Sequence, residues 1–209
     1  MSADRDIEEW LAERGIVSST SRDRARACLL DEKVINPKKS RMSDQKLERA
    51  TALLAERFYL VCGAPACMPV AHASGREPLP VEPRTHCERC GGSDNRRAVV
   101  DFLEACQRKN VRKLVVVGGS PAVREELEAQ LGTRMELRMV DGTERRTADK
   151  ARHDLDWADL VLVWGATELH HKVSEHYTHM PPPLNRKVVH VVRRGVASLL
   201  AEAITHLRR

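Results

Sequence analysis

Four of the six cysteines form two close pairs, a spacing typical of a metal site. Four residues separate Cys62 from Cys67, two separate Cys87 from Cys90, and nineteen lie between the pairs. Zinc prefers four soft, deprotonated ligands in a tetrahedron, and two short cysteine pairs joined by a returning loop can supply them. The sequence therefore predicts a structural Zn²⁺ ion in a zinc-ribbon-like segment, bound by Cys62, Cys67, Cys87 and Cys90.

Two alternatives stay open for these cysteines. They could be buried or redox-active thiols, and His72 or His86 could replace one of them as a ligand. The loop-rich segment has little else to hold it together, which favours the metal. Four thiolates leave no open position for water, so we expect such an ion to stabilise structure and not to catalyse a reaction.

A second group of residues follows four short apolar segments. "KLVVVGG", "MELRMVDG", "ADLVLVWG" and "RKVVHVVRRG" are predicted strands separated by helical patterns. This alternation predicts an α/β domain with a small four-stranded parallel sheet and helices on both faces. Ligands of such sheets bind where the strands end. The candidate ligand-binding residues at these ends are Gly118, Gly119, Ser120, Asp141, Thr143, Arg145, Arg146, Thr167, Arg193 and Arg194.

The residue types at these ends favour an anion. Ser120 and Pro121 are typical of a helix start, where the helix dipole attracts negative charge. Arginine can donate two hydrogen bonds to one phosphate, and Asp141 stands where such folds often bind a ribose hydroxyl. Tight βα turns and solvated arginine pairs are the alternative explanation. Neither GxGxxG nor GxxxxGK[ST] is present, so standard dinucleotide and P-loop chemistry are not indicated.

The candidate catalytic residues are Glu168 and His171, with His170 as the alternative to His171. Glu168 and His171 lie three positions apart and would share one face of a helix just beyond a strand end. They could act as acid and base groups, although such a face is most often only solvated. No catalytic motif accompanies them, so the sequence favours a protein that is not an enzyme.

The elements that must position these residues form three segments. Residues 1–58 contain three helical patterns and are predicted to be a helical module. Residues 59–95 form the four-cysteine segment, which reads as loops, and residues 96–209 form the Rossmann-like α/β domain. Because the sheet has an apolar edge and the final helix is strongly periodic, we expect the protein to form a homodimer.

Composition limits the class of protein. The chain has 209 residues, a net charge of +5 and 31% charged residues. This mildly basic balance permits contact with nucleic acid without requiring it. The chain has no apolar run of membrane-spanning length and no apolar leader at its start. We therefore expect a cytoplasmic protein without a membrane partner.

Residues 112–207 resemble an uncharacterised bacterial Rossmann-like family, known only as a domain of unknown function. The resemblance rests on "VVVGGSP", "MVDGTERR", "WADLVLVWG", "TELHHKV" and "VVRRGVASLLAEAI". It implies a four-stranded, flavodoxin-like parallel sheet with these motifs at its carboxyl edge. It implies no activity, and the helical and cysteine segments lie outside it.

Three functions are compatible with these features. The first is a zinc-containing binding or regulatory protein that engages nucleic acid or a nucleotide-like anion, which Arg22, Arg24 and Arg26 on one helix would favour. The second is an enzyme that processes a nucleotide or phosphoester with Glu168 and His171. The third is an adaptor that binds a partner protein.

Overall fold

The structure, a computed structural model, describes residues 4–165, 169–178 and 181–209. It divides into two compact units, Met1–Ser93 and Asp94–Arg209. The three segments expected from the sequence are a finer division than these two units, and they stay a prediction. Among the described helices, none has the length and apolar character needed to span a bilayer.

The N-terminal unit is mainly helical, with two small two-stranded sheets. Its elements are β1 (Arg5–Asp6), α1 (Ile7–Ala12), α2 (Ser19–Asp31), β2 (Arg41–Met42), α3 (Asp44–Arg57), β3 (Phe58–Val61), α4 (Met68–Ala73), β4 (Glu77–Pro80) and a 3₁₀ turn at Arg84–His86. β1 pairs with β2 in antiparallel fashion, and β3 pairs with β4 in parallel.

Polar side chains start the first two helices. Asp6 accepts hydrogen bonds from the amides of Glu8 and Glu9, and Ser18 accepts one from the amide of Ser21. These bonds satisfy amides that a helix start leaves without a partner.

Large apolar side chains fill the centre of the N-terminal unit. Trp10, Leu29 and Phe58 belong to one buried cluster contributed by α1, α2 and β3. The hydroxyl of Ser21 donates to the carbonyl of Pro80 at 2.8 Å, which fastens α2 to β4. The parallel β3–β4 pair was not expected from the sequence, where this region reads as loops.

The C-terminal unit alternates helices and strands. Its elements are α5 (Asp94–Arg108), β5 (Lys113–Val117), α6 (Pro121–Leu131), β6 (Glu136–Val140), α7 (Ala148–Trp157), β7 (Leu160–Trp164), α8 (His171–Thr178), a 3₁₀ turn at Leu184–Lys187, β8 (Val188–Val191) and α9 (Val196–Leu207).

The four strands of this unit form one parallel sheet, as the sequence predicts. Their order is β6-β5-β7-β8. The register aligns Val117 with Val140 and with Val163, and Trp164 with Val191. The carboxyl ends of all four strands therefore lie along one edge of the sheet.

Helices cover both faces of the sheet. Leu114 and Val116 of β5 belong to an apolar cluster that includes residues of α5, α6 and α9. Val115 and Val117 point the other way and pack with residues of α7 and α8. The helix after β5 and the helix after β7 thus lie on opposite faces, which opens a crevice between the ends of these two strands.

Candidate functional site

A cavity of about 650 Å³ lies at the carboxyl edge of the parallel sheet. We call it the strand-end pocket. It is lined by Gly119, Ser120, Pro121, Val123, Arg124, Asp141, Thr143, Trp164, Arg194 and Gly195. Each of the four strands contributes its last residue or the segment that follows it. The structure therefore brings together five of the ten predicted ligand residues: Gly119, Ser120, Asp141, Thr143 and Arg194.

The glycine turn after β5 forms one wall of the pocket. Gly118 and Gly119 have φ angles of 96° and 91°, a region that residues with a Cβ atom rarely adopt. A Cβ atom on Gly119 would lie 3.4 Å from the Trp164 ring and 3.5 Å from Cγ of Arg124. Glycine thus allows the backbone to pass close to both side chains.

Two helices begin at this pocket. α6 starts at Pro121 after Ser120, and α9 starts at Val196 after Gly195. Neither helix has an acidic residue in its first turn. The positive ends of both helix dipoles therefore lie beside the cavity without a carboxylate of their own helix to offset them.

Arg124 is a pocket residue that the sequence analysis missed. Its guanidinium donates to the carbonyl of Gly119 and to Oδ2 of Asp141, at 2.6 Å each. Oδ1 of Asp141 accepts from the amide and the hydroxyl of Thr143, at 2.8 and 2.7 Å. The bonds from Thr143 and the nearby charge of Arg124 lower the pKa of Asp141 below its usual value. Asp141 is thus held as a carboxylate in a fixed orientation.

Trp164, also missed, positions the segment that carries Arg194. The indole Nε1 of this buried residue donates to the carbonyl of Arg193 at 2.8 Å. The Arg193 side chain is solvent-exposed, with Nε 3.9 Å from Glu202, and does not line the pocket. Arg194 does line it, as does the cation Arg124.

The other predicted arginines lie elsewhere. Arg145 is exposed, and it does not line the pocket. Arg146 forms an ion pair with Asp154, whose side chain is only 3% exposed. Asp154 also accepts from the hydroxyl of Tyr177 at 2.7 Å and lies 3.5 Å from Arg138. Burial, followed by the hydrogen bond to Asp154, raises the pKa of Tyr177 above its usual value. Arg146 therefore fastens the loop after β6 to α7 and α8.

The structure describes only one member of the candidate catalytic pair, His171. The side chain of His171 is 84% exposed, and its Nδ1 lies 3.3 Å from Glu175 of the same helix. The backbone amide of His170 donates to the carbonyl of Gly142, which places the start of α8 beside the loop after β6. Glu168 and the predicted ligand residue Thr167 lie outside the described residues.

The four clustered cysteines form a second candidate site, in the N-terminal unit. The sulfurs of Cys62, Cys67, Cys87 and Cys90 all lie within 4.8 Å of one another, and all four residues are buried. The sulfurs of Cys62 and Cys90 are 3.6 Å apart. Four sulfurs around a tetrahedral zinc ion, with bonds of about 2.3 Å, lie about 3.8 Å apart. The cluster can therefore hold a metal ion.

The parallel β3–β4 pair positions the two cysteine loops. Cys62 directly follows β3, and the amide of Val81 just beyond β4 donates to the carbonyl of Val61. Glu88 joins the second loop to β3, because its amide donates to the Leu60 carbonyl and its carboxylate accepts from the Leu60 amide at 2.8 Å. The loops are thus held on one small scaffold.

The environment of the thiols differs from one cysteine to the next. Burial acts to raise the pKa of Cys62, but the Ala64 amide and the neighbouring thiols lower it to about 7. Burial and a hydrogen bond with Cys62 raise the pKa of Cys67 to about 12. Burial raises the pKa of Cys90 above its usual value, although the Gly92 amide, which donates to its sulfur at 3.4 Å, acts to lower it. Backbone amides that approach sulfur in this way stabilise thiolates, which are the metal-binding form.

The two remaining cysteines do not take part in this cluster. Burial raises the pKa of Cys106 to about 12, and this residue packs in the apolar core of the C-terminal unit. Cys28 is half-buried on α2. All six cysteines, each of which lies in a described range, are free thiols.

The fold and the two sites define the class of the molecule: an α/β protein with a parallel four-stranded sheet, a strand-end pocket and a four-cysteine cluster. No model of a known protein family matches the chain, and no curated protein or solved structure matches it either. The resemblance to a Rossmann-like family therefore receives no support from these comparisons.

Proposed function

We propose that the protein is a zinc-containing binding or regulatory protein whose C-terminal unit binds a phosphate-bearing, nucleotide-like anion in the strand-end pocket. The observation that supports this proposal is the convergence of Ser120, Thr143 and Arg194 on one cavity, although they follow three different strands. Ligands of open parallel sheets bind at this place.

The charges of the pocket favour an anion. Among the described lining residues, two are cations, Arg124 and Arg194, and one is an anion, Asp141, so together they carry a formal charge of plus one. Because Arg124 is already paired with Asp141, Arg194 is the pocket cation best placed to meet a ligand. The starts of α6 and α9 add partial positive charge.

The shape of the pocket favours a small ligand over a nucleic acid chain. Its volume of about 650 Å³ is within the range of small-molecule sites. The arginines of α2 are engaged in ion pairs: Arg22 and Arg26 with Glu8, at 3.2 and 2.7 Å. Arg24 lies 3.3 Å from Glu77. These pairs reduce the positive charge that α2 could offer to a phosphate backbone.

Zinc is the metal that best suits the four-cysteine cluster. Four buried thiolates this close would repel one another strongly, and a divalent cation offsets that charge. All-cysteine tetrahedral sites are typical of zinc, and they leave no open coordination position. In this site Cys62, Cys67, Cys87 and Cys90 would hold the ion, which would stabilise the N-terminal unit.

The test of the pocket is a calorimetric titration of the full chain with AMP, inorganic phosphate and a single-stranded oligonucleotide. We expect AMP to bind and Arg194→Ala to weaken its binding about 10-fold or more, because a charged hydrogen bond to phosphate is lost. Arg145→Ala is the matched control, since this exposed arginine follows β6 without lining the pocket. The affinity of this variant for AMP should stay at the wild-type level.

Three results would overturn this proposal. The first is equal affinity of the Arg194→Ala and Arg145→Ala variants for AMP, and the second is no binding of AMP and phosphate at all. The third is an oligonucleotide that binds more tightly than AMP with a steep dependence on salt, which would identify a nucleic acid interface instead.

A further inference from the structure

The two ends of the strand-end pocket differ in chemistry. Asp141 and Thr143 follow β6, whereas Arg194 and Gly195 follow β8. β6 and β8 are the two outer strands of the sheet. Three spacings between neighbouring strands separate them, a distance of about 14 Å. A ligand that contacts both ends must therefore be elongated and must carry a different group at each end.

The β6 end offers a hydrogen-bond acceptor and no net charge. The Asp141–Arg124 ion pair is only partly exposed, with 27% and 18% of the two side chains accessible. Two bonds from Thr143 engage Oδ1 of Asp141, and one bond from Arg124 engages Oδ2. A carboxylate oxygen can accept two hydrogen bonds, so Oδ2 retains capacity for one more donor.

A phosphate dianion is a poor partner for Oδ2 of Asp141, because this oxygen needs a hydrogen-bond donor and the phosphate has none to offer. A neutral hydroxyl does fit, since it can donate to the carboxylate. The cation Arg194 and the start of α9 at the β8 end suit the phosphate instead.

Resting on the function proposed above, we infer that the ligand is a phosphate ester of a sugar with free hydroxyls, such as a ribonucleotide, whose hydroxyl donates to Oδ2 of Asp141 while its phosphate lies near Arg194. Arg124 is then a positioning residue that holds the Asp141 carboxylate toward the sugar. Pro121 and Val123 supply apolar wall in the same pocket.

The experiment compares the affinity of the full chain for three probes. They are AMP, the same nucleotide with both ribose hydroxyls removed (the dideoxy probe), and ribose phosphate. We expect wild-type protein to bind AMP about 10-fold to 100-fold more tightly than the dideoxy probe, because a hydrogen bond to a charged group is lost. In Asp141→Asn this preference should fall, because a neutral amide oxygen accepts a weaker hydrogen bond from the hydroxyl than a carboxylate does. Glu144→Gln, an exposed neighbour on the same loop, should keep the preference.

The outcomes separate this inference from the broader proposal. Equal binding of AMP and the dideoxy probe by wild-type protein refutes the hydroxyl contact but leaves the anion site standing, and this comparison needs no variant. Equal weakening of both probes in Asp141→Asn also refutes it. Tighter binding of AMP than of the dideoxy probe supports the contact. Ribose phosphate that then binds as tightly as AMP identifies sugar phosphates as the ligand class, and weaker binding of ribose phosphate identifies nucleotides.

Discussion

The guanidinium of Arg124 lies 2.6 Å from Oδ2 of Asp141 and 2.6 Å from the carbonyl oxygen of Gly119. One side chain on α6 therefore joins the turn after β5 to the residue after β6. The contact shapes the pocket and also stabilises the folded chain, because it favours the ionised form of Asp141.

The stabilising effect of Asp141 should depend on pH. Its folded pKa is lowered by Thr143 and Arg124, so its contribution is present above the unfolded pKa, about 3.9, and is lost as the pH falls through the folded value. We expect Asp141→Asn to reduce the unfolding free energy at pH 7 by about 1 kcal/mol, with a smaller deficit at a pH well below the unfolded value of about 3.9. Urea unfolding at both pH values measures this difference. A deficit that does not change with pH would contradict it.

Asp154 should matter far more for stability than its helix neighbour Asp156. Asp154 is 2% exposed and receives contacts from Arg146, Arg138 and Tyr177, whereas Asp156 is exposed. Asp154→Ala should cost about 3–5 kcal/mol, because it leaves Arg146 without its partner, and Asp156→Ala should cost under about 0.5 kcal/mol. Denaturant unfolding of both variants gives the comparison, and equal costs would rule out a stabilising network around Asp154.

The metal content of the protein should depend on the clustered cysteines alone. We expect about one zinc ion per purified chain, and Cys90→Ser should reduce this content strongly because a tetrahedral site loses one of its four ligands. Cys28→Ser is the matched control, since Cys28 lies outside the cluster. Elemental analysis measures the content. A Cys90→Ser protein with a full complement of zinc would show that the cluster is not the site.

Gly119 should tolerate a methyl group much less well than Gly165, which also follows a strand of the same sheet. Gly119 has φ +91° and close neighbours, whereas a Cβ atom on Gly165 would meet, among the described residues, only the Val191 carbonyl oxygen at 3.8 Å. We expect Gly119→Ala to cost about 1–2 kcal/mol from the left-handed backbone alone, and to weaken AMP binding. Gly165→Ala should change both quantities little. Thermal unfolding and titration test this, and similar behaviour of the two variants would be evidence against it.

The sheet and the cysteine cluster could be predicted because each follows a local rule. Runs such as Leu114–Val117 are apolar on both faces, which indicates a buried parallel strand. The cysteine spacing satisfies zinc geometry without knowledge of the surrounding fold. The gathering of strand ends then follows from parallel pairing.

The partners of the arginines could not be predicted, since they depend on contacts distant in sequence. The pair of Arg146 with Asp154 requires α7 to fold back over the loop that precedes it. Arg124 was recognisable in part, because it lies four residues after Ser120 and so on the same side of α6. Its pairing with Asp141 needed the register of β5 and β6.

The β3–β4 pair was missed for a different reason. Pro78 and Pro80 interrupt the pattern of β4, and proline lacks the N–H group that a strand interior needs. In a two-stranded sheet, one side of each strand makes no hydrogen bonds to a partner strand. β4 can therefore accommodate both prolines, whose nitrogens face that unpaired side. The strand can therefore be recognised in the sequence only when its pairing with β3 is known.

The first and last helices of the C-terminal unit close its core together. The Asn95 side chain on α5 accepts from the amide of Ala197 on α9, 102 positions later. Phe102 and Leu199 belong to the same apolar cluster. During synthesis, α5 leaves the ribosome long before its packing partner exists, and its apolar stripe stays uncovered meanwhile. A nascent chain can therefore complete this unit only after α9 has been synthesised.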